Sequence, residues 1–281
     1  MRINPETELF GIIGYPLSHS LSPMIHNRAF EESKINAIYL YLPCRDIKGV
    51  VPGMKSLSIK GLSVTIPHKE GICQHVDELD PLAEEIGAVN TLLNRDGHVV
   101  GYNTDAYGAI MPLKKELGSI KGRRVLVIGA GGAARAICFA LKKEEAEITI
   151  VNRTKKRGQR LAQEIGARFY PLSEISNRGF DIIIQATSVG MYPDVDKMPV
   201  SKEILYPDAI VMDIVYNPLE TRFLKEAKKI GCKVVPGIEM FIYQGVRQFE
   251  LWTGRDAPID IMRSTAISYL KGKEGEKGEK A

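Results

Sequence analysis

Residues 125–141 read VLVIGAGGAARAICFAL, an apolar β-branched run, a glycine turn and a helix-forming segment in immediate succession. Gly129 allows a tight turn, Gly131 lets a pyrophosphate approach the main chain, and Ala134 completes a GxGxxA spacing in which small side chains bring the helix N-terminus close behind. Gly129, Ala130, Gly131, Gly132 and Ala133 are therefore the expected phosphate cradle. Glycine spacing alone also occurs in turns without function. Here the strand before it, the helix after it and a second strand at EITIVN, residues 147–152, supply the βαβ context that a dinucleotide site requires.

The same alternation runs through most of the 281 residues. LFGII, AIYLYL and GLSVTI precede the turn, and FDIIIQ, AIVMDIV and KVV follow it, separated by helix-length segments. Strands alternating with helices imply βαβ units, and near-continuous hydrophobic strands such as VLVIG belong to parallel sheets covered on both faces. There are too many strands for one sheet with one cofactor motif. An α/β fold of two domains is expected, an N-terminal α/β substrate domain and a Rossmann-type, doubly wound dinucleotide domain bridged by a helix within residues 101–122. Two amphipathic helices follow KVVPGIEMF with no strand behind them, and their return to the first strand set makes that domain discontinuous. The expected division is 1–104 with 241–272 for the substrate domain and 105–240 for the dinucleotide domain. Residues 273–281, all Lys, Glu, Gly and Ala, are expected to be a disordered polar tail.

The end of EITIVN selects the cofactor. An NAD site places an acid there to hold the ribose 2′-hydroxyl, and that acid repels a 2′-phosphate. This chain has Asn152, then Arg153, Thr154 and Arg157, two guanidiniums and a hydroxyl suited to a phosphate dianion. NADP is the expected cofactor, while Lys155 and Lys156 read as a solvated helix start.

Composition closes off other classes. The net charge of +4, from 38 basic and 34 acidic residues, is too small and too local for a nucleic-acid surface. Cys44, Cys73, Cys138 and Cys232 form no CxxC pair, which argues against a zinc knuckle and a disulfide framework. His19, His26, His68, His75 and His98 show no metal-ligand spacing, and each reads as a surface or substrate-edge histidine. The first apolar run is cut by Gly14 and Pro16, too short for a signal segment or a membrane span. A cytoplasmic protein acting on a small molecule is expected, with monomer and homodimer both open.

A nicotinamide carries only hydride, so the chain must also anchor a substrate and supply a proton. GYPLSHSLSPMIHN brings Ser18, His19, Ser20 and Ser22 between a strand and a helix, with Ser22-Pro23 reading as an N-cap followed by Pro at N1. GLSVTIPHKE ends a strand in Thr65, Pro67, His68 and Lys69. Asn90, Thr91, Asn103, Thr104 and Asp105 surround a hairpin turn at residues 95–97. Hydroxyls and amides beside Pro and Gly are mostly turn and cap residues. Lys69 is harder to explain that way. An ordinary lysine ammonium, titrating near about 10.4, is a poor base at neutral pH but an adequate proton donor. Asp105 could hold it charged.

GYPLSHSLSPMIHN, VTIPHK, GAVNT, GYNTD, GAGGAARA, VNRT, ATSVGM and PGIEMFIYQG, in this order and over nearly the whole chain, resemble the shikimate dehydrogenase family, the NADP-linked reductases of aromatic amino-acid biosynthesis. The resemblance implies reduction of 3-dehydroshikimate to shikimate by NADPH. It implies Lys69 as proton donor, with Asp105 its partner and a substrate ligand. Ser20 and Ser22 match the carboxylate ligands, and Thr65, Asn90, Tyr216 and Gln244 the remaining substrate contacts. Thr187 to Gly190, Ile214 and Gly237 match the nicotinamide side. At Ser63 some family members carry Asn. A hydroxyl reaches less far than an amide, which leaves room for a water between Ser63 and a substrate.

Other readings are weaker. ATSVG resembles a nucleophile elbow, but a hydrolase needs a later histidine and none lies beyond His98. A silent NADP sensor would have no need to keep both Lys69 and Asp105. Quinate dehydrogenase, with broader substrate or cofactor use, is the nearest enzymatic rival, and Asn152-Arg153-Thr154 favours NADP and shikimate.

Overall fold

The computed structural model describes residues 3–17, 20–176 and 179–278, the side chains of 273–278 excepted; Ser18 and His19 lie outside them. The chain forms two compact units, one of Met1–Tyr107 with Ile242–Ala266, the other of Gly108–Phe241 with Ile267–Ala281.

The first unit contains β1 (Glu8–Gly14), α1 (Ser22–Glu32), β2 (Ala37–Pro43), α2 (Val50–Ser56), β3 (Gly61–Val64), β4 (Glu78–Leu79), α3 (Pro81–Ile86), β5 (Thr91–Arg95) and β6 (His98–Tyr102), and α4 (Thr104–Leu117) begins in it. The sheet order is β2-β1-β3-β5-β6-β4. The sheet is mixed rather than parallel: Asp96 and Gly97, with left-handed backbones at φ 51° and 92°, turn β6 back antiparallel to β5, and β5 itself enters antiparallel to β3. Successive side chains of a strand face opposite sides. Ile13 accordingly joins Val51, Met54, Leu62, Ile72 and Leu92 in one core cluster, while Phe10 meets Phe30 and Trp252 at ring separations of 5.1 and 5.4 Å.

The second unit contains β7 (Arg124–Ile128), α5 (Gly132–Lys143), β8 (Glu147–Asn152), α6 (Lys155–Ile165), β9 (Arg168–Pro171), β10 (Ile182–Gln185), β11 (Ile210–Asp213), α7 (Arg222–Ile230) and β12 (Lys233–Val235). Its order, β12-β11-β10-β7-β8-β9, is parallel throughout. This is the doubly wound arrangement whose strand order reverses between β7 and β10, where dinucleotides bind. Leu126, Ile128, Val151, Ile183 and Val211 pack with Phe223 and Leu224 of α7 as its core.

Two helices close the chain, α8 (Gly237–Thr253) and α9 (Ile259–Gly278). The unit boundaries at 107, 241 and 266 fall within α4, α8 and α9, which run unbroken through them. Helix α9 is described through Gly278. Residues 279–281 lie outside the described residues. Among the described residues no helix is long and apolar enough to cross a membrane.

Candidate active site

In the first unit β1 and β3 are parallel, β5 is antiparallel to β3, and β6 is antiparallel to β5. The segments after Gly14, Val64 and Tyr102 and the segment before Thr91 therefore emerge at one end of the sheet. Lys69 follows β3 and Asp105 lies in the first turn of α4. Lys69 Nζ donates to Asp105 Oδ2 at 2.5 Å, with side chains 22% and 9% exposed. Removing one member of so sheltered a pair leaves a charge without compensation. The other carboxylate oxygen, Oδ1, accepts from Asn90 Nδ2 at 2.9 Å. Asn103 Oδ1 accepts from the main-chain N–H of Asp105 at 3.1 Å, capping the helix that carries the acid.

Around this pair, Ser20 is half-buried and its Oγ accepts from the Ser22 N–H at 3.3 Å. Ser22 is the first residue of α1, not its cap. Leu21 holds the cap position, because its carbonyl already accepts from Met24 and Ile25, and no side chain caps the helix. Thr65 is half-buried and its N–H donates to the Ile13 carbonyl. Gln244, 9% exposed, lies on α8 within the same unit. Ser63 is buried; it accepts from Tyr39 Oη at 2.6 Å and donates its one proton to Gln248 Oε1 at 3.0 Å.

In the second unit Gly129 has φ 125°, and a Cβ there would lie 2.9 Å from the Ala186 carbonyl oxygen. β7 and β10 approach at the switch point because that Cβ is missing. A Cβ on Gly131 or Gly132 would meet nothing within 4 Å. The protein's own packing therefore does not require glycine at either position, and the space fits a group approaching the N-terminus of α5, whose first turn has no acid. Asn152 Nδ2 donates to the Thr154 carbonyl at 2.9 Å. Thr154 precedes α6 and its hydroxyl makes no capping bond. Arg153 and Arg157 are exposed and make no ion pair among the described residues. These residues fit a pyrophosphate at α5 and a 2′-phosphate at the end of β8.

The rest of the expected cofactor edge is held by buried polar residues. Gln185 is wholly buried; its Oε1 accepts from the Thr187 N–H at 2.6 Å, and its Nε2 donates to the carbonyls of Thr187 and Val189 at 3.1 and 2.9 Å. Ile214 is half-buried and its N–H donates to the Gln185 carbonyl at 3.0 Å. Gly237 starts α8 where a Cβ would come within 2.4 Å of the Val215 carbonyl oxygen. Tyr216 stacks on Phe241 at 4.9 Å and belongs to this second unit.

Family models match three stretches: the shikimate dehydrogenase substrate binding domain at residues 12–92, shikimate/quinate 5-dehydrogenase at 112–203, and the shikimate 5′-dehydrogenase C-terminal domain at 237–267. Shikimate dehydrogenase (NADP(+)) of Methanocaldococcus jannaschii is 44% identical over 95% of this chain and 99% of its own. The chain belongs to the shikimate dehydrogenase family. A crystal structure of a shikimate dehydrogenase in complex with NADP+ superimposes with TM-score 0.93 at 43% identity, covering 96% of this chain and 98% of that one. Shikimate 5-dehydrogenase from Thermus thermophilus, in complex with NADP(H) and shikimate, superimposes with TM-score 0.87 at 37% identity, covering 93% and 99%.

Several buried polar residues of this shikimate dehydrogenase family member carry no motif in the sequence. Gln185 and Asp213 end strands in polar side chains where an all-apolar run would be expected, which was a usable signal. Gln248 lies one turn beyond Gln244 and reads as a helix-surface amide, yet it is 1% exposed. His26, expected at the surface or the substrate edge, is a wholly buried core residue stacked on Tyr39 at 4.7 Å. It occupies the buried stripe of α1 with Ser22, Ile25, Ala29 and Phe30, a helical spacing visible in the sequence. His68 is also buried, its Nε2 at 2.8 Å from the Cys44 carbonyl.

Proposed function

We propose that this chain reduces 3-dehydroshikimate to shikimate with NADPH, the activity carried in the names of its relatives, and that Lys69 and Asp105 serve the proton transfer. The sheltered Lys69–Asp105 ion pair, at the sheet end where Ser20, Thr65 and Asn90 also gather, is the observation that carries this reading. NADPH, when bound, supplies the hydride for the ring carbonyl.

The protein's own groups do the rest. As the carbonyl oxygen gains charge, the Lys69 ammonium stabilises it and gives up a proton; in the reverse direction the neutral amine takes one. Asp105 holds Lys69 through Oδ2 while Asn90 fixes Oδ1, so the carboxylate has one orientation. Ser20 and Ser22 receive the substrate carboxylate through hydroxyl donors. Thr65, Asn90, Tyr216 and Gln244 orient the ring. Gly129 to Ala133 hold the pyrophosphate, Arg153, Thr154 and Arg157 the 2′-phosphate beside Asn152, and Thr187, Ile214 and Gly237 line the nicotinamide. A cytoplasmic location is part of the same reading, since an NADPH-consuming reductase draws on the reduced cofactor pool of the cell interior.

The test is to mix purified protein with 3-dehydroshikimate and follow absorbance of NADPH, then of NADH, with quinate and each oxidised cofactor as the reverse assay. Rapid NADPH loss, with little from NADH or quinate, is expected. NADPH binding without turnover would favour a sensor, and faster oxidation of quinate with NAD would overturn the assignment of the basic edge.

A further inference from the structure

We propose that Gln248 is a positioning residue for the Lys69–Asp105 pair, acting through Thr91 and Asn90; this rests on the functional reading above and deepens it. Gln248, on α8, is 1% exposed, and every hydrogen-bonding capacity of its amide is used. Its Oε1 accepts from Ser63 Oγ at 3.0 Å and faces His26 Nε2 at 3.3 Å. Its Nε2 donates to Thr91 Oγ1 at 2.9 Å and to the Asn90 carbonyl at 3.3 Å. An amide flip would set Oε1, an acceptor, against the Asn90 carbonyl and against Thr91 Oγ1, whose one proton is already given to Asn90 Oδ1.

That orientation propagates. Thr91 Oγ1, accepting from Gln248, donates its own proton to Asn90 Oδ1 at 2.8 Å. Asn90 Oδ1 also accepts from the Thr104 N–H at 2.7 Å, so Nδ2 is left to face Asp105 Oδ1 at 2.9 Å. Asp105 Oδ2 then receives Lys69 Nζ. The bonds run in one sense, Gln248 to Thr91 to Asn90 to Asp105, through residues that are all buried. A core amide whose only task was to fill space could be hydrocarbon. This one directs both donors to Asn90 and Thr91, at the start of the strand that places Asn90 against Asp105.

The experiment compares wild type with Gln248→Met, Thr91→Val and Thr91→Ser in NADPH-dependent reduction of 3-dehydroshikimate. Each rate is normalised to folded protein, and each reaction is repeated with NADPH deuterated at the transferred position. For Gln248→Met and Thr91→Val, kcat is expected to fall about tenfold or more, as for a misplaced reacting group. The NADPH dissociation constant should change less than about threefold, and the isotope effect on kcat should rise as chemistry becomes slower than release. Thr91→Ser, which restores the hydroxyl, should recover most of the rate. Lower thermal stability with wild-type kcat and isotope effect per folded molecule would overturn the inference and leave Gln248 a packing residue. Should Gln248→Met not fold, the two Thr91 variants decide: a slow valine with a fast serine supports the relay, and equal rates overturn it. A wild-type protein that consumes no NADPH with 3-dehydroshikimate would sink the functional reading first, and the inference with it.

Discussion

Asp213 ends β11 with no exposure to solvent, its carboxylate accepting from Thr221 Oγ1 at 2.6 Å and from the Val215 N–H at 2.9 Å. Burial pushes its pKa up from 3.8 to about 6, against the opposing effect of those two bonds. The folded state keeps a proton that the unfolded chain has already released, so the stability from this group is fully present below the unfolded value and is lost as pH rises through about 6. Asp213→Asn cannot titrate and keeps a carbonyl for Val215. Relative to wild type it should gain stability between about pH 4 and about pH 7, by up to about 3 kcal/mol. Denaturant melts of both proteins at the two pH values test this, and a difference that does not change with pH would show that Asp213 is ionised throughout.

At the scale of elements, the junction of β8 and α6 is where the proposed cofactor choice is made. Arg153 is exposed and makes no ion pair among the described residues, so Arg153→Ala should leave the fold intact. It should raise KM for NADPH about tenfold, the value of one charge-assisted bond, and leave KM for NADH nearly unchanged. Equal weakening of both would mean the 2′-phosphate is held elsewhere. This junction was legible because a parallel strand announces itself as a continuous apolar run and the residues at its end must meet the ligand. The hairpin of β5 and β6 was legible from Asp96-Gly97. Its antiparallel entry beside β3 was not, since strand order depends on contacts distant in sequence. β4, two residues long, is too short for periodicity to mark, and β9, RFYP, carries no apolar β-branched run and ends on a proline. In the site, Lys69 and Asp105 stood out as chemistry without a structural excuse. Gln248 did not, because a helical glutamine reads the same on a surface as in a core.

On the scale of the whole molecule, the two units carry opposite responses to acid. His26 lies fully buried in the first, its Nδ1 without a partner among the described residues, and burial pushes its pKa down from 6.5 to about 3 despite the bond to Gln248. An unfolded chain takes up a proton where the folded one does not, so this contribution to stability holds above about 6.5 and is lost as pH falls. Between about pH 7 and about pH 5 the loss is about 2 kcal/mol, while Asp213 favours the second unit over part of the same range. Trp252, the single tryptophan, belongs to the first unit and reports on it by fluorescence. Its urea midpoint should fall on acidification, and His26→Phe should flatten that dependence; an unchanged slope in the variant would assign the acid sensitivity to other groups. The proposed reaction rests on one contact, Lys69 Nζ to Asp105 Oδ2. The decisive measurement is turnover of 3-dehydroshikimate by Lys69→Ala beside wild type, with the NADPH dissociation constant determined for both. Turnover lower by about 10²- to 10⁴-fold, the range for loss of a general acid, with NADPH affinity unchanged, is the expected result. A variant that turns over at nearly the wild-type rate would contradict Lys69 as the proton donor.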